Sequence, residues 1–404
     1  MLSQPVAARL LPPIWMMALT VSGANIGMAL LSPAIPQLRD DLQATADQAQ
    51  LVLSVFLIMM GIGQMVAGSL SDRFGRRPIL LLGSFLFTLS GFGALIAPTI
   101  EVWIGVRAIQ GFGAAACMAM GRVIINDSFE RAEAGKQMST ITMVQAVVPL
   151  LSFAFGGLLA DLVGWRGSIG IMVLTAGLIF TVNLLLLKET RKDRVPAAPL
   201  LQTLGVFVLL IRTPKFISHA TNGGMMTGSF FAMGGYMPYQ FQRLGMSAFE
   251  FGLLFSTTAL GYMIGNSLSR YFGPRFGLDV TAFVGAFFSL IIMAGLVLIQ
   301  LVGLAGVWEI SGMLLVYGVA NGLVVANSII GAVRAAGIHS GAATGLSGAS
   351  QMLCSAVFGS LIIALGGDTS FSLALNITLG MTAIATLGGY LALDRGNKQA
   401  DTAY

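Results

Sequence analysis

The sequence carries little charge for its length. Of its 404 residues, 10% are charged and 56% are hydrophobic, and the mean hydropathy is +0.84. So few charges cannot cover the surface of a soluble globule of this size. The composition therefore excludes a soluble domain and indicates a helical membrane protein that crosses the bilayer several times.

Residues that carry enzyme or metal chemistry are also scarce. The chain has two cysteines, Cys117 and Cys354, and two histidines, His219 and His339. Both cysteines fall inside long apolar runs, where we expect neither a structural disulfide nor a metal site. No HExxH, GxSxG or GxxxxGK[ST] motif is present, and carboxylates do not cluster. The sequence thus predicts no enzyme, no cofactor, no bound metal and no use of ATP.

What the sequence does have is a succession of apolar runs. A helix needs about 20 such residues to cross a hydrocarbon core of ~30 Å. We predict an all-α membrane protein of twelve transmembrane helices. The predicted spans lie at about 14–36, 48–70, 78–98, 102–125, 137–160, 167–188, 215–237, 248–270, 279–301, 306–333, 343–366 and 371–393.

One ten-residue segment recurs half a chain away. The segment Gly68-Ser-Leu-Ser-Asp-Arg-Phe-Gly-Arg-Arg77, here called the clasp, is echoed by Asn266-Ser-Leu-Ser-Arg-Tyr-Phe-Gly-Pro-Arg275. Both copies follow an apolar run and carry positive charge, so we expect both in short loops on one side of the membrane. The doubling indicates a transporter of two parallel halves. We predict two pseudo-symmetric six-helix bundles, 1–188 and 215–404, joined by a polar cytoplasmic linker, 189–214.

The positions of lysine and arginine predict the orientation. Of 22 such residues, only Arg39, Arg166 and Arg243 fall in outer loops, and Arg107 and Arg122 fall inside spans. The remaining 17 lie on the other side, which the positive-inside rule assigns to the cytoplasm together with both termini. The net charge of +5 then favours contact with the lipid bilayer. It does not indicate nucleic-acid binding, because no loop combines basic and aromatic residues.

The clasp has two physical interpretations. Asp72 follows an apolar helix at its C-terminus, and the arginines can neutralise both its carboxylate and the helix dipole. Gly75 permits a tight turn, and the following Pro78 can begin a helix. The segment is then either a charged clasp that opens and closes during transport or a topology signal with a tight loop. The clasp residues that we single out are Gly68, Asp72, Arg73, Gly75, Arg76 and Arg77.

Several segments together resemble the major facilitator superfamily. The clasp is similar to its cytoplasmic loop signature, and Val106-Arg107-Ala-Ile-Gln-Gly-Phe-Gly113 is similar to its fourth-helix motif with a membrane-embedded arginine. Arg122-Val-Ile-Ile-Asn-Asp127 and Pro149-Leu-Leu-Ser-Phe-Ala-Phe-Gly-Gly157 resemble segments of twelve-span drug/proton antiporters of the Bcr/CflA type. In the last segment, Pro149, Gly156 and Gly157 match the antiporter motif. The resemblance implies the major facilitator fold and alternating access.

Two departures from that family pattern concern coupling. Relatives usually carry an acidic residue shortly before a Pro-Ala-x-Pro turn in the first helix, whereas Pro33-Ala-Ile-Pro36 follows Ala29-Leu-Leu-Ser32 and the nearest strongly polar residue is Asn25. The second proline expected before Gly156 is also missing. The usual proton-binding carboxylate is therefore absent.

Four ionisable residues remain as coupling candidates. Asp127 follows Arg122 by five residues and can meet it if the helix ends between them; it is either a titrating switch or a static cap. Glu309 is the other acidic candidate, or an interfacial carboxylate facing outer water. Arg107 lies inside the fourth span, where a charge requires a cavity or acceptors. The resemblance to the superfamily implies that Arg107 faces the central cavity, and we expect Arg107→Ala to abolish transport with folding largely intact.

Glycines and polar residues outline the expected cavity. Close helix approach is expected at Gly61, Gly63, Gly68, Gly111, Gly113 and Gly121. Candidate substrate-binding residues are Asn25, Gln145, Tyr236, Tyr239, Gln240, Tyr262, Asn266, Tyr317, Asn321, Asn327 and Gln351. Each is also compatible with helix packing alone.

The sequence as a whole predicts a monomeric secondary transporter in a bacterial inner membrane. Its partners would be protons and a drug-like or amphipathic small molecule exported by alternating access. An uncoupled facilitator or importer, a dedicated exporter of a metabolite or siderophore, and a non-transporting membrane sensor are the alternatives.

Overall fold

The computed structural model of the chain describes residues 11–191 and 200–393. Five of the basic residues used above for orientation, Arg9, Lys192, Arg194, Arg395 and Lys398, lie outside this part of the chain, as do the outer limits of the predicted domains. The described residues form fourteen α-helices and two short 3₁₀ turns, Ser32–Ala34 and Gly337–His339. The helices are α1 (Ile14–Ala29), α2 (Ile35–Asp41), α3 (Ala46–Phe74), α4 (Arg76–Ile96), α5 (Ile100–Ser128), α6 (Arg131–Val163), α7 (Trp165–Leu186), α8 (Leu200–Ile211), α9 (Pro214–Arg243), α10 (Ala248–Phe276), α11 (Leu278–Leu301), α12 (Val307–Ala335), α13 (Ser340–Ala364) and α14 (Phe371–Ala392).

Eleven stretches of the described chain are long and apolar enough to cross a membrane. The first, Ile14–Asp41, runs through α1 and α2 without interruption. The others are α3 to α7 and α10 to α14, with small differences in their first residues. These helices confirm the predicted all-α membrane fold.

The twelfth long helix, α9, is as long as the others but more polar. Its 30 residues include His219, Asn222 and Ser229, all buried. It packs against α12, α13 and α14, so most of its surface contacts protein. Polar side chains are tolerated there because neighbouring helices supply their partners.

Two groups of helices make up the molecule. Helices α1 to α7 pack chiefly with one another, as α3 does with α5 and α4 with both α5 and α7. Helices α9 to α14 form the second group, in which α10 contacts α12 and α9 contacts α13 and α14. The groups meet mainly along α3 with α13 and along α6 with α10. We call the side where α1 begins and α14 ends the termini side, and the opposite side the far side.

The predicted linker is not polar throughout, contrary to expectation. Its second part forms α8, whose Phe207 and Leu210 are buried. Leu210 belongs to an apolar cluster with Phe216 of α9, Ala332 and Ala336 of the α12 end, and Ala343 of α13. The linker therefore includes an apolar helix that packs on the second bundle. The charged residues of 189–214 led us to predict a polar segment instead.

The two copies of the repeat also differ in structure. Copy one breaks at Gly75, which has a φ of 101° and is the single residue between α3 and α4. In copy two the corresponding Gly273 lies inside α10, and the break comes at Gly277, with a φ of 88°. The prediction of a loop at copy two was therefore wrong by one helical turn, because a later glycine supplies the left-handed conformation.

Candidate functional site

The far side of the molecule is closed by contacts between the two bundles. The Asp161 carboxylate of α6 accepts hydrogen bonds from the first N–H groups of α10, Ala248 at 3.2 Å and Phe249 at 2.9 Å. Such N–H groups have no partner within their own helix, and their positive partial charge favours an anion. Ser32, between α1 and α2, donates to the carbonyl of Gly234 in α9 at 2.5 Å.

A second set of far-side contacts joins α3 to α13. Ser54 donates to the Ala356 carbonyl at 3.3 Å, and Ser360 donates to Ser54 at 2.8 Å. Gln50 donates to Ser54 and occupies space beside glycines of both α9 and α13. These contacts and those of Asp161 and Ser32 are named the far-side seal. Each hydrogen bond contributes about 1 kcal/mol net, so the seal is easily reversible.

Five sequence candidates converge at mid-depth between the bundles. Asn25 of α1 donates to the backbone carbonyl of Gln145 in α6 at 3.3 Å, and Arg122 of α5 donates to the Gln145 side-chain oxygen at 3.2 Å. Across the interface, Tyr262 at the middle of α10 lies within electrostatic range of Arg122 and interacts with the Asn266 side chain. These five residues form what we call the central polar cluster.

An aromatic cluster lies between the central polar cluster and the far-side seal. Phe153 of α6 meets Phe255 of α10 with ring centroids 4.8 Å apart, and Phe230 of α9 stacks on Phe255 at 5.8 Å. Phe231 joins through Phe230 at 5.3 Å. Phe153 and Phe255 are buried, whereas Phe230 and Phe231 are partly exposed. The space between the bundles is thus polar at one end and aromatic at the other.

The remaining substrate candidates lie elsewhere. Tyr236 is buried and bonded to Thr378 of α14 at 3.1 Å, and Tyr239 lies under the Arg39 guanidinium at the far side, 5.1 Å from it. Gln240, also at the far side, contacts Arg243 at 3.4 Å.

Further candidates are engaged inside the second bundle. Tyr317 is bonded to Ser229, and Asn321 donates to the Met226 carbonyl at 2.9 Å. Asn327 contacts Ser269 at 2.8 Å, and Gln351 is buried near Gly223. None of these joins the central polar cluster.

Arg107 does not face a cavity, contrary to expectation. Its guanidinium is fully buried and donates to Gly27 O of α1 at 3.0 Å, Val52 O of α3 at 3.1 Å and the Gln110 side chain at 2.6 Å. It also lies 4.1 Å from the Phe56 ring centroid. Backbone acceptors and an aromatic face compensate this buried charge. Arg107 therefore holds α1, α3 and α5 together.

The clasp forms a network of charges at the termini side of the first bundle. Arg76 contacts Asp72 of α3 at 2.8 Å and Asp127 of α5 at 2.8 Å. Arg191, which follows α7, also pairs with Asp72. Glu189 accepts from the N–H groups of Arg76 at 3.0 Å and Arg77 at 3.2 Å, and so caps α4. These residues are named the ion network, and it joins four helices of one bundle.

The other clasp residues have separate contacts. Arg77 donates to the Leu187 and Leu184 carbonyls at the end of α7, and Arg73 lies against the Phe74 ring. A Cβ at Gly75 would come 2.4 Å from a Glu189 carboxylate oxygen, so the turn and the cap are built together. Gly68 has open space beside it, unlike the other five glycines expected to permit close helix approach.

The acidic coupling candidates are placed apart from the central polar cluster. α5 continues to Ser128, so Arg122 and Asp127 do not meet: Asp127 pairs with Arg76, and Arg122 turns toward Gln145. Glu309 is exposed in the first turn of α12, at the far side. No group of three His, Cys, Asp or Glu residues in the described chain is arranged to hold a metal ion.

The antiporter-motif glycines lie at backbone contacts. A Cβ at Gly157 would come 2.1 Å from the Ala248 carbonyl of α10, and one at Gly156 would come 2.2 Å from the Leu30 carbonyl of α1. Gly157 thus lets the two bundles touch at the far side, while Gly156 packs within the first. Pro149 lies inside α6, one turn beyond Gln145.

Sequence reasoning missed Glu189, Arg191, Asp161 and the serines of the far-side seal. The sequence assigns Glu189 and Arg191 to the polar linker, and isolated serines in spans have no single expected role. For Asp161 the sequence gives only indirect information. Ser247 and Glu250 form a capping box, which marks the start of α10, and Asp161 binds the N–H groups at that start.

Comparison with known proteins decides the family. The family model described as Major Facilitator Superfamily matches residues 17–359. The chain belongs to this superfamily. The twelve long helices of residues 11–191 and 200–393, the doubled architecture and the clasp are consistent with that membership, and the resemblance stated from the sequence is confirmed.

Individual members of the superfamily are similar over most of their length. An uncharacterized MFS-type transporter, YdgK of Bacillus subtilis (strain 168), is 28% identical over 346 residues, 84% of each chain. A bicyclomycin resistance protein homolog of Haemophilus influenzae is 24% identical over 375 residues, 92% of this chain and 93% of the relative. The crystal structure of a D-xylose–proton symporter has a TM-score of 0.72 at 18% identity, covering 93% of this chain and 97% of its own. That structural likeness shows the major facilitator fold.

Proposed function

We propose that this transporter exports drug-like small molecules in exchange for protons, by alternating access around the central polar cluster. The observation that carries the proposal is the convergence of Asn25, Arg122 and Gln145 from one bundle with Tyr262 and Asn266 from the other. A site built from both bundles changes its access when they rock. The resistance-protein name of the Haemophilus influenzae relative supports an exported drug as substrate.

The far-side seal supports a particular state of that cycle. With the far side closed, the termini-side half of α6 presents exposed Ser139, Thr140 and Thr142. We assign the termini side to the cytoplasm because it carries most of the lysines and arginines. The conformation is then inward-facing, in a multi-pass protein of a bacterial inner membrane that works as a single chain.

Proton coupling is assigned to the ion network in this proposal. Protonation of Asp127 removes one partner of Arg76, and protonation of Asp72 removes partners of both Arg76 and Arg191. The carboxylates are partly exposed, with 45% of the Asp72 and 31% of the Asp127 side chain accessible, so each pair contributes about 1 kcal/mol or less. One proton crossing 100 mV supplies about 2.3 kcal/mol, enough to drive the change. Asp127 is the favoured carrier because Arg76 is its only ion-pair partner in the described chain.

One observation favours a second candidate function, an uncoupled facilitator. The central polar cluster contains no carboxylate, and Asn25 occupies the first-helix region where relatives of this type usually have an acid. Without a titrating group in contact with substrate, coupling must act at a distance through the ion network. An uncoupled facilitator avoids that requirement.

Proton movement in everted membrane vesicles distinguishes the two functions. Acid-loaded vesicles containing the parent protein, Asp127→Asn or Glu133→Gln would be monitored with a pH-sensitive dye while cationic, neutral and anionic drugs are added. Glu133→Gln is a matched control, since it also removes a termini-side carboxylate; in the described chain Glu133 pairs with the exposed Lys136 at 3.9 Å and accepts a hydrogen bond from Gln137.

We expect substrate-triggered proton release in the parent and in Glu133→Gln, and none in Asp127→Asn. Release in all three proteins would leave antiport standing and remove Asp127 as the carrier, which directs attention to Asp72 and Glu309. Drug movement without proton movement in the parent would establish the facilitator.

A further inference from the structure

The central polar cluster carries one permanent positive charge without a matching negative charge. Arg122 is the only ionised residue among its five members, and in the described chain its side chain donates to the neutral Gln145 amide and lies near the neutral Tyr262. The nearest acidic candidate, Asp127, is bound to Arg76 instead. A partly buried cation between helices without a counter-ion is unfavourable, so the site favours a ligand that supplies the negative charge.

Arg107, in the same helix, is an arginine whose surroundings are mostly satisfied by protein acceptors, although its Nη2 has no partner in the described chain. Its guanidinium is fully buried and its hydrogen bonds reach two backbone carbonyls and one amide oxygen. Arg122 is only partly buried and has one hydrogen bond, 3.2 Å long, to a side chain. A guanidinium has five N–H donors in a planar fork that matches a carboxylate. Arg122 therefore retains donors that a bound molecule can use.

The surroundings of Arg122 define the rest of such a molecule. Seven residues of helix separate Tyr262 from Phe255, and eight separate Gln145 from Phe153. At 1.5 Å per residue, these spacings place the aromatic cluster roughly 10 to 12 Å from the polar cluster. A ligand of ordinary drug size can span that distance with an acceptor group at one end and an aromatic body at the other. The partly exposed Phe230 and Phe231 suit that body.

We propose that the preferred substrates are small amphipathic anions, whose carboxylate pairs with Arg122 while an aromatic body meets the phenylalanines. This inference rests on the proposed transport function and specifies its substrate class. A cationic amphiphile of the same shape meets like charge at Arg122 and finds no carboxylate in the described cluster. The site thus selects against the organic cations that a negatively charged cavity would accept.

Three probes on one scaffold test the charge preference. The full chain in lipid nanodiscs would be titrated with 2-naphthoate, 2-naphthamide and 2-naphthylmethylammonium, which share an aromatic body and differ in charge. We expect 2-naphthoate to bind about ten- to hundredfold more tightly than 2-naphthamide, because its hydrogen bonds to Arg122 are charge-assisted. The ammonium compound should bind more weakly than either.

Variants of Arg122 assign the preference to one residue. Arg122→Gln should lose the advantage of 2-naphthoate and change 2-naphthamide binding less than about threefold, since a neutral hydrogen-bond donor remains. Arg122→Lys keeps the charge without the planar fork and should recover part of the advantage. Equal melting temperatures in nanodiscs would show that the variants are folded.

Equal or tighter binding of the ammonium compound would overturn the inference, as would retention of the 2-naphthoate advantage in Arg122→Gln. Failure of all three probes to bind a folded parent protein would overturn it too. Parallel proteoliposome assays with a proton gradient and neutral drugs separate this outcome from the proposed function. Proton-driven drug transport without 2-naphthoate binding defeats the anion preference alone, whereas 2-naphthoate binding without any transport defeats the proposed transport cycle.

Discussion

At the scale of single residues, the two arginines inside α5 differ in what surrounds them. Arg107 is bound by acceptors from three helices, and Arg122 faces the contact between the bundles. Both fit the same sequence description, a cation in a predicted span. The sequence predicts that both arginines lie inside a span, but it does not distinguish their environments. The difference arises from backbone carbonyls of α1 and α3, which accept hydrogen bonds from Arg107 and are distant from it in sequence.

We predict that Arg107→Ala lowers the stability of the protein as well as stopping transport. Removing the guanidinium leaves a cavity and three acceptors without their donor, at a cost of about 3 to 5 kcal/mol. This replaces the expectation that folding stays largely intact. Thermal unfolding in detergent should begin several degrees lower than for the parent, while Lys136→Ala, which changes a side chain with 76% exposure, should not alter it. An unchanged melting curve with lost transport would restore a purely functional role.

Gly75 and Gly277 form a natural matched pair. Both have a positive φ, 101° and 88°, so an alanine at either position is strained by about 1 to 3 kcal/mol. Only Gly75 has a neighbour in the way, the Glu189 carboxylate at 2.4 Å from the added Cβ, whereas nothing lies within 4 Å at Gly277. We expect Gly75→Ala to reduce transport much more than Gly277→Ala in drug-efflux assays at equal expression. Equal losses in the two variants would mean that the Glu189 cap is irrelevant to transport.

At the scale of elements, α8 shows where charge and polarity patterns mislead. Residues 189–214 contain enough polar residues to predict a linker, yet Leu200–Ile211 is an apolar helix on the second bundle. α9 shows a different case: its span at 215–237 is predicted from the sequence, although the helix is more polar than the other long helices, because its neighbours satisfy its polar side chains. Long apolar runs with lipid contact were predictable. The packing of α8 on the second bundle was not, since its partners come from other parts of the chain.

We predict that Leu210→Asn detaches α8, whereas Leu209→Asn does not. Leu210 is buried in the apolar cluster and Leu209 is 54% exposed, so the same polar group is costly at one position and tolerated at the next. The readout is the rate of trypsin cleavage at Arg212, directly after α8. Cleavage should accelerate in Leu210→Asn and match the parent in Leu209→Asn. Acceleration in both variants would indicate that α8 is not held by this face.

At the scale of the whole molecule, the far-side seal makes alternating access directly testable. The Ser54 and Ser360 hydroxyls are 2.8 Å apart on opposite bundles, so cysteines at both positions can form a disulfide. In a background lacking Cys117 and Cys354, we expect oxidation of Ser54→Cys/Ser360→Cys to stop transport and a reductant to restore it. The single variants should be insensitive to oxidant. A fully cross-linked protein that still transports would show that the bundles do not separate here.

The composition of α9 has a consequence for how the protein is made. Helices enter the bilayer from the translocon according to their hydrophobicity. α9 carries buried His219 and Asn222 and is absent from the stretches apolar enough to cross alone. It therefore depends on partners translated later, such as α12, α13 and α14, for a stable place in the membrane. Biogenesis of the second half is then cooperative, and a ribosome that stalls after α9 leaves behind a helix that the bilayer does not retain.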